Sequence, residues 1–446
     1  MKKIISLSLC IALSALTLCA CGDNTQMNSK EKLSDNHKRS TDVEQTYNYN
    51  DGAIDSPSTY NEFKNEITDF ELKFFRNSFK ENEGTMFVTA PINVVAELGL
   101  LANGASKDSQ TEILNTLGDD INLDTINECM SYFMSRIQAV AGMESEKIDE
   151  LTGKKITSDT TNYVKFKQAL VFNDTLDVKS KFLQTNADYY GSDIYRLNYS
   201  DENSLVKLNN EFTDFSDHTV DELNTENSLI SILGADICDT WLDAYSQDDI
   251  EEGTFKAGSG DKTIKFLKSN ESYMHTKTAQ GVVKYTSKTP LKMVFIMPNE
   301  DITLDEYISN FTNLEYQNLF SSIDVTKKAT AKIPEFSIES KETASDITSA
   351  VSSSGLYTLF TDESTFANLT NSTELMFDNM FEISPKLTVN AAGIGGNSSN
   401  DAKQILAKRT TELESTDVTV EFNRPFMFML IDNESGIPVY MGAVDF

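Results

Sequence analysis

Residues 381–446 read FEISPKLTVNAAGIGGNSSNDAKQILAKRTTELESTDVTVEFNRPFMFMLIDNESGIPVYMGAVDF. A strand-forming run, Leu387 to Val389, leads into a small-residue hinge at Gly393, Gly395 and Gly396. A long polar stretch follows, then Phe422-Asn-Arg-Pro-Phe426 and two apolar strands joined by a short turn. Read with period two, the segment after Gly393 places Ile394, Gly396, Ser398, Asn400 and Ala402 on one face. Gly395, Asn397, Ser399, Asp401 and Lys403 fall on the other. Both charges share a face and the opposite face is small or apolar, so the segment could join a sheet with its charges left in water. Glycine, serine and asparagine are equally the residues of a solvated loop.

Working outward, the chain of 446 residues with 39% hydrophobic content can bury a large core, and no composition break divides it after residue 60. A net charge of −31 excludes a nucleic-acid partner, because phosphate binding needs concentrated Lys and Arg. At the N-terminus two lysines, an apolar stretch from Ile4 to Ala20 and then Cys21-Gly-Asp-Asn form a secretory signal peptide over residues 1–20. Leu18-Cys19-Ala20-Cys21 resembles a bacterial lipobox, which implies that Cys21 carries the lipid (diacyl and palmitate-type chains). Ordinary signal cleavage nearby is the alternative. Residues 21–59 lack apolar periodicity and are expected to be a disordered tether with a mean reach of roughly 35 Å. Cleavage would remove Cys10 and Cys19, leaving Cys129 and Cys238 either to pair or to stay buried as small apolar side chains.

In the body of the chain, Phe63, Ile67, Phe70 and Phe74 recur at helical spacing, widened by Leu72, Phe75 and Phe79. A strand over Met86 to Thr89 follows. Pro91 then suits the first turn of a helix through Val94, Val95, Leu98 and Leu101. Another helix after Gly104-Ala-Ser-Lys carries Ile113, Leu114 and Leu117 and stops at Gly118. Strands and helices alternate through Val164–Val171, 182–189, 205–215 and 229–241, and LKMVFIMP, Leu291 to Pro298, is a buried strand. Ile333-Pro-Glu-Phe-Ser-Ile338 is a strand and Ala344 to Val351 a helix, followed by a turn from Leu359-Phe360 to Phe366.

The order of these motifs, from the Ala-Pro helix and LANGASKDSQTEILNTLG through KIPEFSIES to FNRPF, resembles the serpin family over residues 60–446. The resemblance implies an α+β fold: a large central, mostly antiparallel sheet, smaller sheets, eight or nine helices and an exposed reactive-centre loop over about 391–421. It implies inhibition of a serine protease by suicide cleavage, after which the severed loop enters the central sheet as an extra strand and the trapped acyl-enzyme is distorted. Gly393, Ile394, Gly395, Gly396, Asn397, Ser398 and Ser399 correspond to the hinge. Trp241, the sole tryptophan, corresponds to the residue beside the point of loop entry. Fifteen residues counted from Gly393 put the reactive bond at Ala407-Lys408, which suits elastase-like or subtilisin-like enzymes. A slip of one or two makes Lys408 or Arg409 the cleaved residue and suits trypsin-like ones. Counting backward from Phe422 gives Glu414-Ser415 instead. The chain departs from the family at Ala391-Ala392, at Ile394 and in the Gly-Asn-Ser-Ser-Asn stretch. It departs also at Ala90, Asn93, Leu233 and Ile383, where the family keeps polar groups. A non-inhibitory serpin acting as a binding module is the alternative reading.

Enzymatic chemistry finds little footing. His37, His218 and His275 are the only histidines and none stands in a metal-ligand spacing. There is no G-x-S-x-G elbow, and Ser29-x-x-Lys32 lies in the tether. No cofactor or metal is expected. The expected protein is a monomer, held at the extracellular face of a bacterial membrane through its lipid alone, or else secreted.

Overall fold

The aromatic stripe after residue 60 folds into α1 (Tyr60–Glu81), which buries Phe63, Ile67, Phe70, Phe74, Phe75 and Phe79 in one stroke. The computed structural model describes residues 27–28, 30–43, 55–141, 147–148, 155–156, 162–213, 220–323, 326–338, 345–361, 365–373, 375–376, 380–382, 386–395 and 413–446. Against α1 packs α2 (Pro91–Gly104), opened by its proline and apolar nearly all round, so that it is sunk in the core. The other helices are α3 (Lys107–Leu117), α4 (Leu123–Ala141), α5 (Ser180–Thr185), α6 (Glu202–Asn210), α7 (Leu304–Ser309), α8 (Asn313–Ser321) and α9 (Thr348–Ser353). A single π turn, Asn186–Tyr190, extends α5 and is closed by Gly191 in the left-handed region.

Nine strands form one sheet in the order β1 (Phe87–Thr89), β19 (Pro438–Val444), β18 (Phe426–Asp432), β10 (Leu291–Pro298), β9 (Ala279–Tyr285), β8 (Gly260–His275), β11 (Lys328–Pro334), β17 (Thr419–Glu421), with β7 (Ile250–Ala257) also on β8. Every residue of β18 and of β19 is buried, which is why both read as continuous apolar runs. β2 (Lys147–Ile148) and β3 (Lys155–Ile156) make a separate short pair.

The second sheet is built around β6 (Leu229–Thr240). On one side lie β4 (Tyr163–Asn173), antiparallel to it, and then β5 (Asp193–Leu197), parallel to β4. On the other side β6 meets two partners at different heights. Its start pairs in parallel with β14 (Met380–Glu382), which also carries β13 (Ser345–Asp346). Its end pairs antiparallel with β16 (Gly393–Gly395), beyond which come β15 (Leu387–Val389) and β12 (Phe336–Ile338). With nine α-helices among the described residues and two large, mostly antiparallel sheets, the expected α+β architecture is what the chain adopts.

Two expectations need correction, and one open alternative is decided. The loop was expected to be free from residue 391, yet Ala391 and Gly393–Gly395 are buried, because the backbone of 393–395 finds ladder partners on both sides. The segment expected to be a tether is seated on the domain over residues 30–43. Leu33 N donates to Ile194 O and Arg196 N to Glu31 O, each at 2.7 Å, and Lys32 pairs with Asp193 at 2.9 Å. The cause is β5, an edge strand whose unpaired amides and carbonyls accept a further strand-like segment. Of the two cysteine alternatives, a disulfide is ruled out: Cys129, buried, and Cys238, half-buried, both remain thiols.

Candidate functional site

The site is the seam along the edge of β6. In its lower part Ser231, Ile232 and Leu233 pair with Met380, Phe381 and Glu382. In its upper part Asp239 and Thr240 pair with Ile394 and Gly393, while Val389 and Thr388 pair with Ile394 and Gly395 on the far side. Thus β14 touches β6 directly below, β15 stands one strand-width further off above, and the hinge fills the slot between β15 and β6. Ile394 joins the main hydrophobic core, on the face that the period-two alternation made apolar.

The turn into the slot is built by Asn390. Its Oδ1 accepts from Ala392 N at 2.8 Å and from Gly393 N at 3.2 Å, an Asx turn that reverses the chain between β15 and β16. Glu335 Oε1 accepts from Ala391 N at 3.2 Å. Gly393 has no room for a side chain: a Cβ there would sit 2.0 Å from the Asp239 carbonyl oxygen and 2.8 Å from Thr240 Cα. Asp239 itself is buried and its carboxylate gathers Thr289 N and Thr289 Oγ1, both at 2.7 Å, and Thr240 N at 2.7 Å, which fixes the top of β6 to the turn 286–289.

Trp241 stands at the mouth of the slot, 3% exposed. Its Nε1 donates to Asn390 O at 2.8 Å, so the indole holds the turn through which the hinge enters. Behind it the Lys284 ammonium lies 5.4 Å from the Trp241 ring and 4.3 Å from the Tyr245 ring, and pairs with Glu271 at 2.6 Å. Burial pulls Lys284 toward neutrality, but Tyr245 and Glu271 outweigh it and its pKa stands above the ordinary lysine value. Lower down, Asn93 Nδ2 donates to Gly234 O at 2.8 Å and Gln168 Nε2 to Asn93 O at 2.9 Å, a buried amide relay tying α2 and β4 to β6.

The loop's far end is also fixed. Asn270 Nδ2 donates to Glu414 O at 2.8 Å, Thr416 Oγ1 bonds to Thr330 Oγ1 at 2.7 Å, and β17 then runs parallel to β11. Of the residues singled out in the sequence, Trp241, Gly393, Ile394 and Gly395 come together at the slot. Gly396, Asn397, Ser398, Ser399, Ala407, Lys408, Arg409 and Cys21 lie outside the described residues. Asp239, Asn390, Lys284 and Glu271 escaped the sequence reading. Only Asn390 left a local signal, an asparagine before Ala-Ala-Gly.

A family model described as "Serpin (serine protease inhibitor)" matches residues 65–445. Serpin A3-7 of Bos taurus is 21% identical over 388 residues, covering 84% of this chain and 87% of that protein. Corticosteroid-binding globulin of Oryctolagus cuniculus is 21% identical over 390 residues, covering 84% and 93%. Among solved structures, the thermophilic serpin tengpin in its native state superposes with a TM-score of 0.74 at 20% identity, covering 93% of this chain and 99% of that one. Thyroxine-binding globulin in complex with thyroxine gives 0.67 at 16%, covering 86% and 98%. At such identities the structural likeness speaks for the fold.

Proposed function

The chain belongs to the serpin family, and from that premise we propose that it inhibits a serine protease as a suicide substrate. The observation that carries this reading is β16. The first residues of the hinge already occupy the antiparallel position between β15 and β6, in the register that an inserted strand would extend. Cleavage beyond the hinge would release the chain to continue downward, parting β14 from β6 as it goes. About a dozen new ladder bonds at roughly 0.5–1.5 kcal/mol each would supply a drive on the order of 10 kcal/mol before entropy. The uncleaved form is in this reading a kinetically held state.

The pinned far end favours the hinge count for the reactive bond. Glu414 and Thr416 are held against β8 and β11, a poor substrate for a protease cleft, whereas Ala407-Lys408 lies between the two anchors. In this reading Ala407 or Lys408 fills the enzyme's specificity pocket, with Arg409 as the alternative. Cys21 carries the lipid that holds the inhibitor outside the cell.

The test is incubation with elastase-like, subtilisin-like and trypsin-like serine proteases. An SDS-stable adduct and release of residues 408–446, or of a fragment shifted by a residue or two, are expected. A protease that cleaves the loop and turns over freely with all three types refutes inhibition. The second reading, a binding module, is favoured by the bulky Ile394 in the hinge and by the likeness to proteins named corticosteroid-binding and thyroxine-binding globulin. It predicts that loop cleavage leaves thermal stability unchanged, where the inhibitory reading predicts a clear rise.

A further inference from the structure

Beneath the zipped part of the seam lies a carboxylic acid that the mechanism above does not use. Glu97, on α2, is fully buried, and neither of its carboxyl oxygens makes a hydrogen bond. Its polar neighbour across the gap is Ser231 on β6, also buried, whose hydroxyl lies near the carboxyl without the alignment of a formed bond. From the π turn it is faced by Tyr190, whose hydroxyl is engaged with Asn127 Oδ1 at 2.7 Å. On its own helix Asn93, one turn earlier, is committed to Gly234 O. Among the described residues no ammonium or guanidinium group faces it. Burial therefore dominates and lifts the group to about 8, with Ser231 pulling slightly the other way. At neutral pH it is an uncharged acid.

The position matters as much as the burial. Ser231 is the residue of β6 that pairs with Met380, where β14 closes the sheet. An ionised Glu97 would be a bare charge in the core, a state costing several kcal/mol unless water or a partner reaches it. Parting β14 from β6 at Ser231 opens the sheet over that carboxyl group, and it is the motion by which a strand would be admitted. We propose that Glu97 is a proton-operated latch on this seam: as the neutral acid it lets β14 stay zipped to β6, and as the carboxylate it drives the two strands apart.

The sign follows from linkage. A carboxyl group whose pKa is raised in the closed sheet above the ordinary 4.5 leaves that sheet at full stability below 4.5 and weakens it as pH climbs toward 8. Seam opening should grow by up to tenfold per pH unit inside that window and level off above it.

The latch requires only that the seam opens, with no protease trapped, so it can fail while the inhibitory reading stands and the reverse. Hydrogen exchange is measured on the whole uncleaved protein between pH 6.5 and 8.5, with each protection factor corrected for base catalysis and divided by that of E97Q. For amides of residues 230–234 and 380–382 the ratio should fall at least tenfold, while amides of the buried hairpin at 428–431 and 439–443 hold constant. A flat ratio overturns the proposal, and so does an equal fall in the hairpin, which would mean loss of the whole fold. If E97Q does not fold, S231A keeps the acid but removes the hydroxyl that favours its ionised form. The pH above which seam exchange levels off should then move higher in S231A than in wild type, and an unmoved levelling point counts against the latch.

Discussion

Gly393 shows how a single missing atom admits a strand. With the Asp239 carbonyl 2.0 Å from where a Cβ would sit, G393A must push the hinge out of the slot or force β6 to shift. Overpacking of this kind costs about 1–3 kcal/mol, so the denaturation midpoint should fall and the Ile394 amide should lose protection. A midpoint equal to wild type would mean that β16 is not held in solution. Lys284 and Glu271 illustrate the opposite economy, a buried pair whose members need each other. K284M should cost about 3–5 kcal/mol by stranding the carboxylate, and K284M with E271L much less; urea titrations of the two variants decide this, and equal losses would contradict it. The glycine and the tryptophan were legible because hinge and indole sit in recognisable local sequence. The ion pair was not, since Lys284 and Glu271 are ordinary strand residues until β8 and β9 are laid side by side.

At the scale of elements, helices announced themselves and strand partners did not. The stripe of α1 was readable over its whole length because helical neighbours are close in sequence. By contrast the expected helix from Ala344 to Val351 is found as α9 at Thr348–Ser353, a short and weakly patterned element whose place is decided by what it packs on. Nothing in LISILGADICDT tells that one edge of β6 has two partners of opposite direction. The docked N-terminal segment was missed for the same reason: its hydrophilic composition forbids a core but not a ladder. Deleting residues 27–43 removes those ladder bonds together with the Lys32–Asp193 and Lys207–Glu31 pairs. A loss of about 1–3 kcal/mol in a denaturant titration is expected. The bared edge of β5 should promote concentration-dependent association, detectable by light scattering. An unchanged midpoint and a strictly monomeric product would show that the segment is only lying alongside.

For the molecule as a whole, the order of motifs carried the fold although identity to relatives is only about one residue in five. Composition argued against a nucleic-acid partner, and the absence of metal-ligand spacings gave catalysis little footing. What the sequence could not convey is that the chain's two ends of construction meet. β19, the last strand to be written, pairs with β1 near the start, and β18 beside it pairs with β10 from the middle. Without the β18–β19 hairpin, β1 has no ladder partner and β10 loses one of its two. Joining β1 to β19 closes a loop of roughly 350 residues, whose entropy is lost before the ladder bonds repay it, so folding of this sheet should be slow.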